Sequence, residues 1–176
     1  NTMDVQYERD VDITHRITKI IVRTAQGPYT STDPSTLLNQ FRTEWNNNQG
    51  NIKRDVAHLF TGKNLDGSVI GIAWLGVICS GNSGYGLVQS NCCGSLNCAA
   101  DLSAHELGHN WNAGHCSCGG YTMNSSLTCA NRFHASSTIP GMISYRNSRG
   151  CIDKPLAGDV LFEDDFESGS YKSGWN

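Results

Sequence analysis

The eleven residues His105-Glu106-Leu107-Gly108-His109-Asn110-Trp111-Asn112-Ala113-Gly114-His115 read HExxHxxNxxH, three imidazoles with a carboxylate beside the first. On an α-helix His105 and His109 stand at i and i+4, so both rings project from one face and can reach one ion. Glu106 is turned roughly 100° from His105, which suits a carboxylate that attends the metal's water without ligating the metal. His115 can join the site only if the helix stops before it. Asn112 supplies the stop, because asparagine is the non-glycine residue that best tolerates a positive φ and so turns the chain back. Three protein ligands leave a fourth position open, the mark of a catalytic rather than a structural zinc, where the ion lowers the pKa of a bound water to about 7. HExxH alone arises by chance, but the third His at this offset, after a residue able to turn the chain, is a much narrower pattern.

Composition bounds the partners. The 176 residues are enough for one domain with a substantial core. Thirteen Lys and Arg against sixteen Asp and Glu give a net charge of -3, and the basic residues are scattered, so no nucleic acid partner is expected. The longest apolar stretch, residues 69–79, is too short to cross a bilayer, and no membrane partner is expected. Eight cysteines without a CxxC pair fit a secreted, disulfide-bonded domain better than a reducing cytosol. Cys92 and Cys93, being adjacent, are expected to bond different partners, and Cys116 and Cys118 to brace the turn after His115.

Element signals alternate along the chain. Residues 13–24, rich in Ile, Val and Thr, predict a strand. Asp33-Pro34 predicts an N-cap and first-turn proline, with Leu37, Leu38, Phe41 and Trp45 on one helix face up to Asn46-Asn47-Asn48. Residues 55–60 and 69–77 predict strands, and residues 99–112 the helix that carries the histidines. Residues 113–150 are loop-rich and expected to wall a cleft from below. This order predicts an α/β fold, a mixed twisted sheet with the zinc-binding helix packed beneath it.

The histidine segment resembles the extended zinc motif of the metzincin metalloproteases, HExxHxxGxxH followed by a methionine-containing turn, with Asn112 in place of the glycine. Ala57-His58-Leu59-Phe60-Thr61-Gly62, Gly71-Ile72-Ala73-Trp74, Gly86-Leu87-Val88-Gln89 and Cys116-Ser117-Cys118-Gly119-Gly120-Tyr121 are similar, in the same order, to stretches of the reprolysin or ADAM branch. Where adamalysin-type enzymes follow the third His with Asp, this chain has Cys116. The resemblance implies a secreted zinc endopeptidase acting on extracellular proteins or peptides, with His105, His109 and His115 as metal ligands and Glu106 as general base toward a zinc-activated water. Met142, in Pro140-Gly141-Met142-Ile143-Ser144-Tyr145, is favoured over Met123 as the turn methionine. Tyr145 either lines the pocket below the metal or reaches the oxyanion.

An endopeptidase must hold backbone rather than side chains, so substrate is expected as an added strand along Gly71, Ile72, Ala73 and Trp74. Family analogy pairs Cys79 with Cys151, and Cys116 and Cys118 are expected to bond outside their own turn. Residues 1–157 form the expected catalytic domain. Residues 158–176, acidic and aromatic, form a linker or the start of an accessory module, whose carboxylates could bind Ca2+ beside the Zn2+ of the main site. Residues 5–11 resemble the joint between the first helix and second strand of reprolysin-like domains, which implies a partner: a separate N-terminal fragment of the same precursor. The competing reading is a catalytically weak, protease-like binding or adhesion module, in which loss of Glu106 or of one His would be expected.

Overall fold

Apolar residues one turn apart set the helices and the sheet they cover. In a computed structural model that describes residues 2–25 and 27–153, helix α1 (Thr2–Val11) buries Tyr7 and Val11, while α2 (Pro34–Asn48) buries Leu37, Leu38 and Phe41. Asp33 caps α2 as its spacing predicts, its carboxylate accepting from the Thr36 amide at 2.8 Å. Three strands follow, β1 (Ala57–Thr61), β2 (Gly71–Ala73) and β3 (Tyr85–Gln89), in the order β1-β3-β2. The central strand β3 runs parallel to β1, with Ala57 opposite Tyr85, and antiparallel to β2, with Ile72 opposite Leu87.

Helices cover both faces of this mixed sheet. Tyr85 and Leu87 pack with Leu37, Leu38 and Phe41 of α2, while Gly86 faces Asn110 of α3 (Leu96–Asn110) on the other side. Helix α1 packs against the outer side of α3, where the Tyr7 hydroxyl donates to the Ala104 carbonyl at 2.8 Å. A second core joins α1, α3 and α4 (Ile139–Asn147) around Trp111, Met123, Phe133 and Met142. No helix among the described residues is long and apolar enough to cross a membrane.

Four sequence expectations are corrected. Residues 12–23 form no strand, and Ile17, Ile20 and Val22 stand 67–81% exposed: a strand needs a backbone ladder, and among the described residues this segment has none, meeting the Lys53 carbonyl instead through the Thr18 hydroxyl, which donates to it at 3.3 Å. The strand expected over residues 69–77 is only three residues long. Beyond it the chain leaves the sheet, because the amides of Gly76, Val77 and Ile78 donate instead to the carbonyls of His109 and Asn110 at 2.8–3.3 Å. The segment from Pro140 to Tyr145 is helical, not a turn, since a proline within the first turn of α4 removes an amide that has no helical partner anyway.

The fourth correction concerns disulfides. Every cysteine is paired, and Cys79 with Cys151 is the expected long-range bridge. Cys98 joins Cys129, whereas Cys92 bonds Cys93 and Cys116 bonds Cys118. The latter two pairs close within their own turns, against expectation. Around Cys116 the loop folds back on itself, the Cys116 amide donating to the Met123 carbonyl at 2.9 Å. Residues 158–176, and the carboxylates considered for calcium there, lie outside the described residues.

Candidate metal centre and cleft

Helix α3 starts at the Ser95 cap, whose hydroxyl accepts from the Cys98 amide at 3.2 Å, and ends in a left-handed turn at Asn112 with φ of 69°. The Asn112 amide donates to the His109 carbonyl at 2.8 Å and the Ala113 amide to the Gly108 carbonyl at 2.9 Å. These two bonds around one left-handed residue make a Schellman motif, which reverses the chain after the helix. His115 is thereby brought back over the face that carries His105 and His109.

The three rings converge. His105 Nε2 lies 3.1 Å from both His109 Nε2 and His115 Nε2. On its far side His105 donates Nδ1–H to the Thr122 carbonyl at 2.6 Å, and His109 donates Nδ1–H to the Ala113 carbonyl at 2.7 Å. Carbonyls only accept, so these bonds put the proton on Nδ1 and leave Nε2 of both rings as a bare lone pair in the neutral form. Burial, the largest cause in each case, lowers the pKa of both rings, that of His109 to about 4, which favours the neutral, ligating form. Two lone pairs 3.1 Å apart repel unless a cation lies between them. Nitrogens held about 2.0–2.1 Å from one tetrahedral ion lie about 3.3 Å apart, so the donor set fits zinc.

Glu106 lies beside this cluster, 4% exposed, with Oε2 buried and without a protein hydrogen-bond partner. Burial pushes its carboxyl up to about 8. Gly71 of β2 makes the room: a Cβ on that residue would collide with Glu106 Oε1. A cleft of about 310 Å³ joins these groups, lined on one side by Gly71, Ile72 and Ala73 and floored by the apolar Leu102 and Leu127 beside the histidines. Strand β2 is an edge of the sheet, and among the described residues no strand pairs with its other side.

Of the residues singled out in the sequence, His105, Glu106, His109, His115, Gly71, Ile72 and Ala73 come together here. Trp74 and Tyr145 do not. The Trp74 ring packs with the α2 core under the Arg42 guanidinium at 5.0 Å, and the Tyr145 hydroxyl donates to the Ile78 carbonyl at 3.3 Å. Met142 is buried in α4, whereas Met123 packs on the histidine helix itself: a Cβ on Gly108 would lie 2.6 Å from its sulfur. Thr122, which orients His105, carried no signal of its own, because it is brought to α3 by a loop without periodicity.

Converging imidazoles on a helix and its reversing turn, below the edge strand of a mixed sheet, define a metzincin-type metallopeptidase domain. Residues 1–149 match the family described as Reprolysin_5, metallo-peptidase family M12, and the chain belongs to that family. Among curated proteins it is similar to the zinc metalloproteinase recombinant fibrinogenase II of Deinagkistrodon acutus, 40% identical over 73 residues that make up 39% of this chain and 31% of that protein. It is also similar to the snake venom metalloproteinase atroxlysin-1 of Bothrops atrox, 39% identical over 72 residues, 39% of this chain and 35% of that protein. The chain thus spans about a third of the length of these relatives.

Proposed function

We propose that the chain is the catalytic domain of a secreted zinc endopeptidase that hydrolyses peptide bonds of extracellular proteins. The convergence of three Nε2 atoms beside a buried, unpartnered carboxylate carries this reading. His105, His109 and His115 hold the ion, which when bound supplies positive charge for the scissile carbonyl and lowers the pKa of water. Glu106, buried beside the imidazoles with Oε2 free of any protein partner among the described residues, takes the proton of the attacking water and passes it to the leaving amine. The free edge of β2 aligns the substrate backbone, and the apolar floor at Leu102 and Leu127 accepts an apolar side chain next to the cleaved bond. Met123 packs the histidine helix at Gly108.

Four disulfides support secretion, as does the likeness to venom proteins. The exposed Ile17, Ile20 and Val22, with Phe60 on the outer edge strand β1, support a separate N-terminal fragment as partner, adding a strand beside β1. The test of the enzyme reading is incubation of zinc-loaded protein with casein and a mixed peptide library, with and without a chelator. Chelator-sensitive cleavage ahead of apolar residues is expected. No cleavage after confirmed zinc loading would reject catalysis and favour a binding module.

A further inference from the structure

We infer that Asp101 is a positioning residue of the metal centre, acting through Thr122 on His105; the inference rests on the zinc-site reading above. Asp101 lies on α3 one turn before His105, fully buried. A carboxylate so placed is costly unless its oxygens are filled. Here Oδ1 accepts from the Thr122 hydroxyl at 2.6 Å and the Asn131 amide at 3.0 Å, and Oδ2 from the Ala130 amide at 3.2 Å.

The direction of the Thr122 bond follows from counting. Its hydroxyl has one proton and two lone pairs. The lone pairs accept from Gln6 Nε2 at 2.8 Å and from the Arg132 amide at 3.1 Å, so the proton goes to Asp101. The carbonyl of the same residue accepts Nδ1–H of His105 at 2.6 Å. Thr122 is therefore gripped by two successive turns of α3, at its hydroxyl by Asp101 and at its carbonyl by His105. The Thr122 amide and the Arg132 carbonyl close the return at 2.9 Å, so the loop has no freedom to carry that carbonyl elsewhere. Asp101 thus sets where the Thr122 carbonyl stands, and the carbonyl sets which nitrogen of His105 is bare and where it points. An acid four residues before the first histidine, between Ala100 and Leu102, is the sequence trace of this arrangement.

Partners that orient a ligating histidine typically change metal affinity by about 10–100-fold when removed. Thr122→Val keeps the branched shape and removes the hydroxyl, Thr122→Ser restores it, and Asp101→Asn alters the other end. Zinc affinity is read by competition with a chromophoric chelator, the visible spectrum of the Co2+-loaded protein reports ligand geometry, and kcat and KM are measured on a peptide. T122V and folded D101N are expected to bind zinc about 10–100-fold more weakly, with a shifted Co2+ spectrum and a lowered kcat at little-changed KM, and T122S to return all three toward wild type. If D101N does not fold, the T122V and T122S pair decides. Wild-type zinc affinity and spectrum in T122V, whatever its melting temperature, would overturn the positioning role. Wild-type protein that binds no zinc would instead sink the site reading, and this inference with it.

Discussion

Gly71→Ala places one methyl group between the edge strand and the catalytic carboxylate, and the outcome can be worked from distances. The added Cβ would collide with Glu106 Oε1 and lie 2.8 Å from Cδ and Cγ. Carbon atoms in comfortable contact sit about 3.5–4.0 Å apart, so an overlap of the order of 1 Å must be relieved. Because Glu106 is 4% exposed, either β2 shifts outward or the carboxyl leaves its place over the histidines. Overpacking of this kind costs about 1–3 kcal/mol, roughly 2–12 °C of melting temperature for a domain of this size. Displacing a reacting group by about 1 Å costs about 10²-fold in rate, equivalent to about 2.7 kcal/mol of barrier. The assay pairs kcat/KM on a fluorogenic peptide with a zinc titration and a melting curve. The expected result is a rate loss of about 10²-fold at unchanged zinc stoichiometry. Gly62→Ala, whose Cβ would meet nothing within 4 Å, serves as the control and should match wild type. Wild-type kcat/KM in G71A would refute the contact between strand and carboxylate as a feature of the working enzyme.

Glu106→Gln should retain zinc and lower turnover by about 10²–10⁴-fold, checked by metal analysis beside kinetics. The same variant carries a pH signature in chelated protein. Burial raises the folded-state pKa of Glu106 from 4.5 to about 8, so its contribution to stability is present below about pH 4.5 and lost as pH rises through about 8. Melting curves from about pH 5 to about pH 9 should show E106Q gaining on wild type as pH rises, and a constant difference would contradict the burial argument. Asn112→Ala should destabilise by about 1–2 kcal/mol and weaken zinc binding, whereas Asn112→Gly should keep both, because only the left-handed turn returns His115 to the site. Peptides N-methylated on the backbone next to the cleaved bond should be poor substrates, and undiminished cleavage would exclude pairing along β2.

The parts legible in the sequence were those set locally. The histidine pair, the flanking Glu106 and the turn at Asn112 follow from helical spacing and one residue's tolerance of positive φ, and the Schellman bonds meet that expectation. The capped helix from Pro34 was legible for the same reason. What escaped depends on contacts distant along the chain. Thr122 reaches α3 from a loop without periodicity, Met123 stood only second to Met142 because its packing on Gly108 is a contact distant along the chain, and Gly71 touches Glu106 only because β2 passes over it. Residues 13–24 have the composition of a strand, yet a strand also needs a neighbour, which composition does not report. The stretch around Met142 carries turn residues, but its proline falls where a helix can begin.

X-ray absorption at the zinc edge of the loaded wild-type protein tests the central claim most directly, since it separates nitrogen and oxygen ligands from sulfur and counts imidazoles. The account calls for one zinc per chain with a shell of nitrogen and oxygen only, at about 2.0–2.1 Å, and the outer-shell scattering of three imidazoles. Sulfur at about 2.3 Å, or fewer than three imidazoles, would contradict the assignment of His105, His109 and His115 as the metal centre.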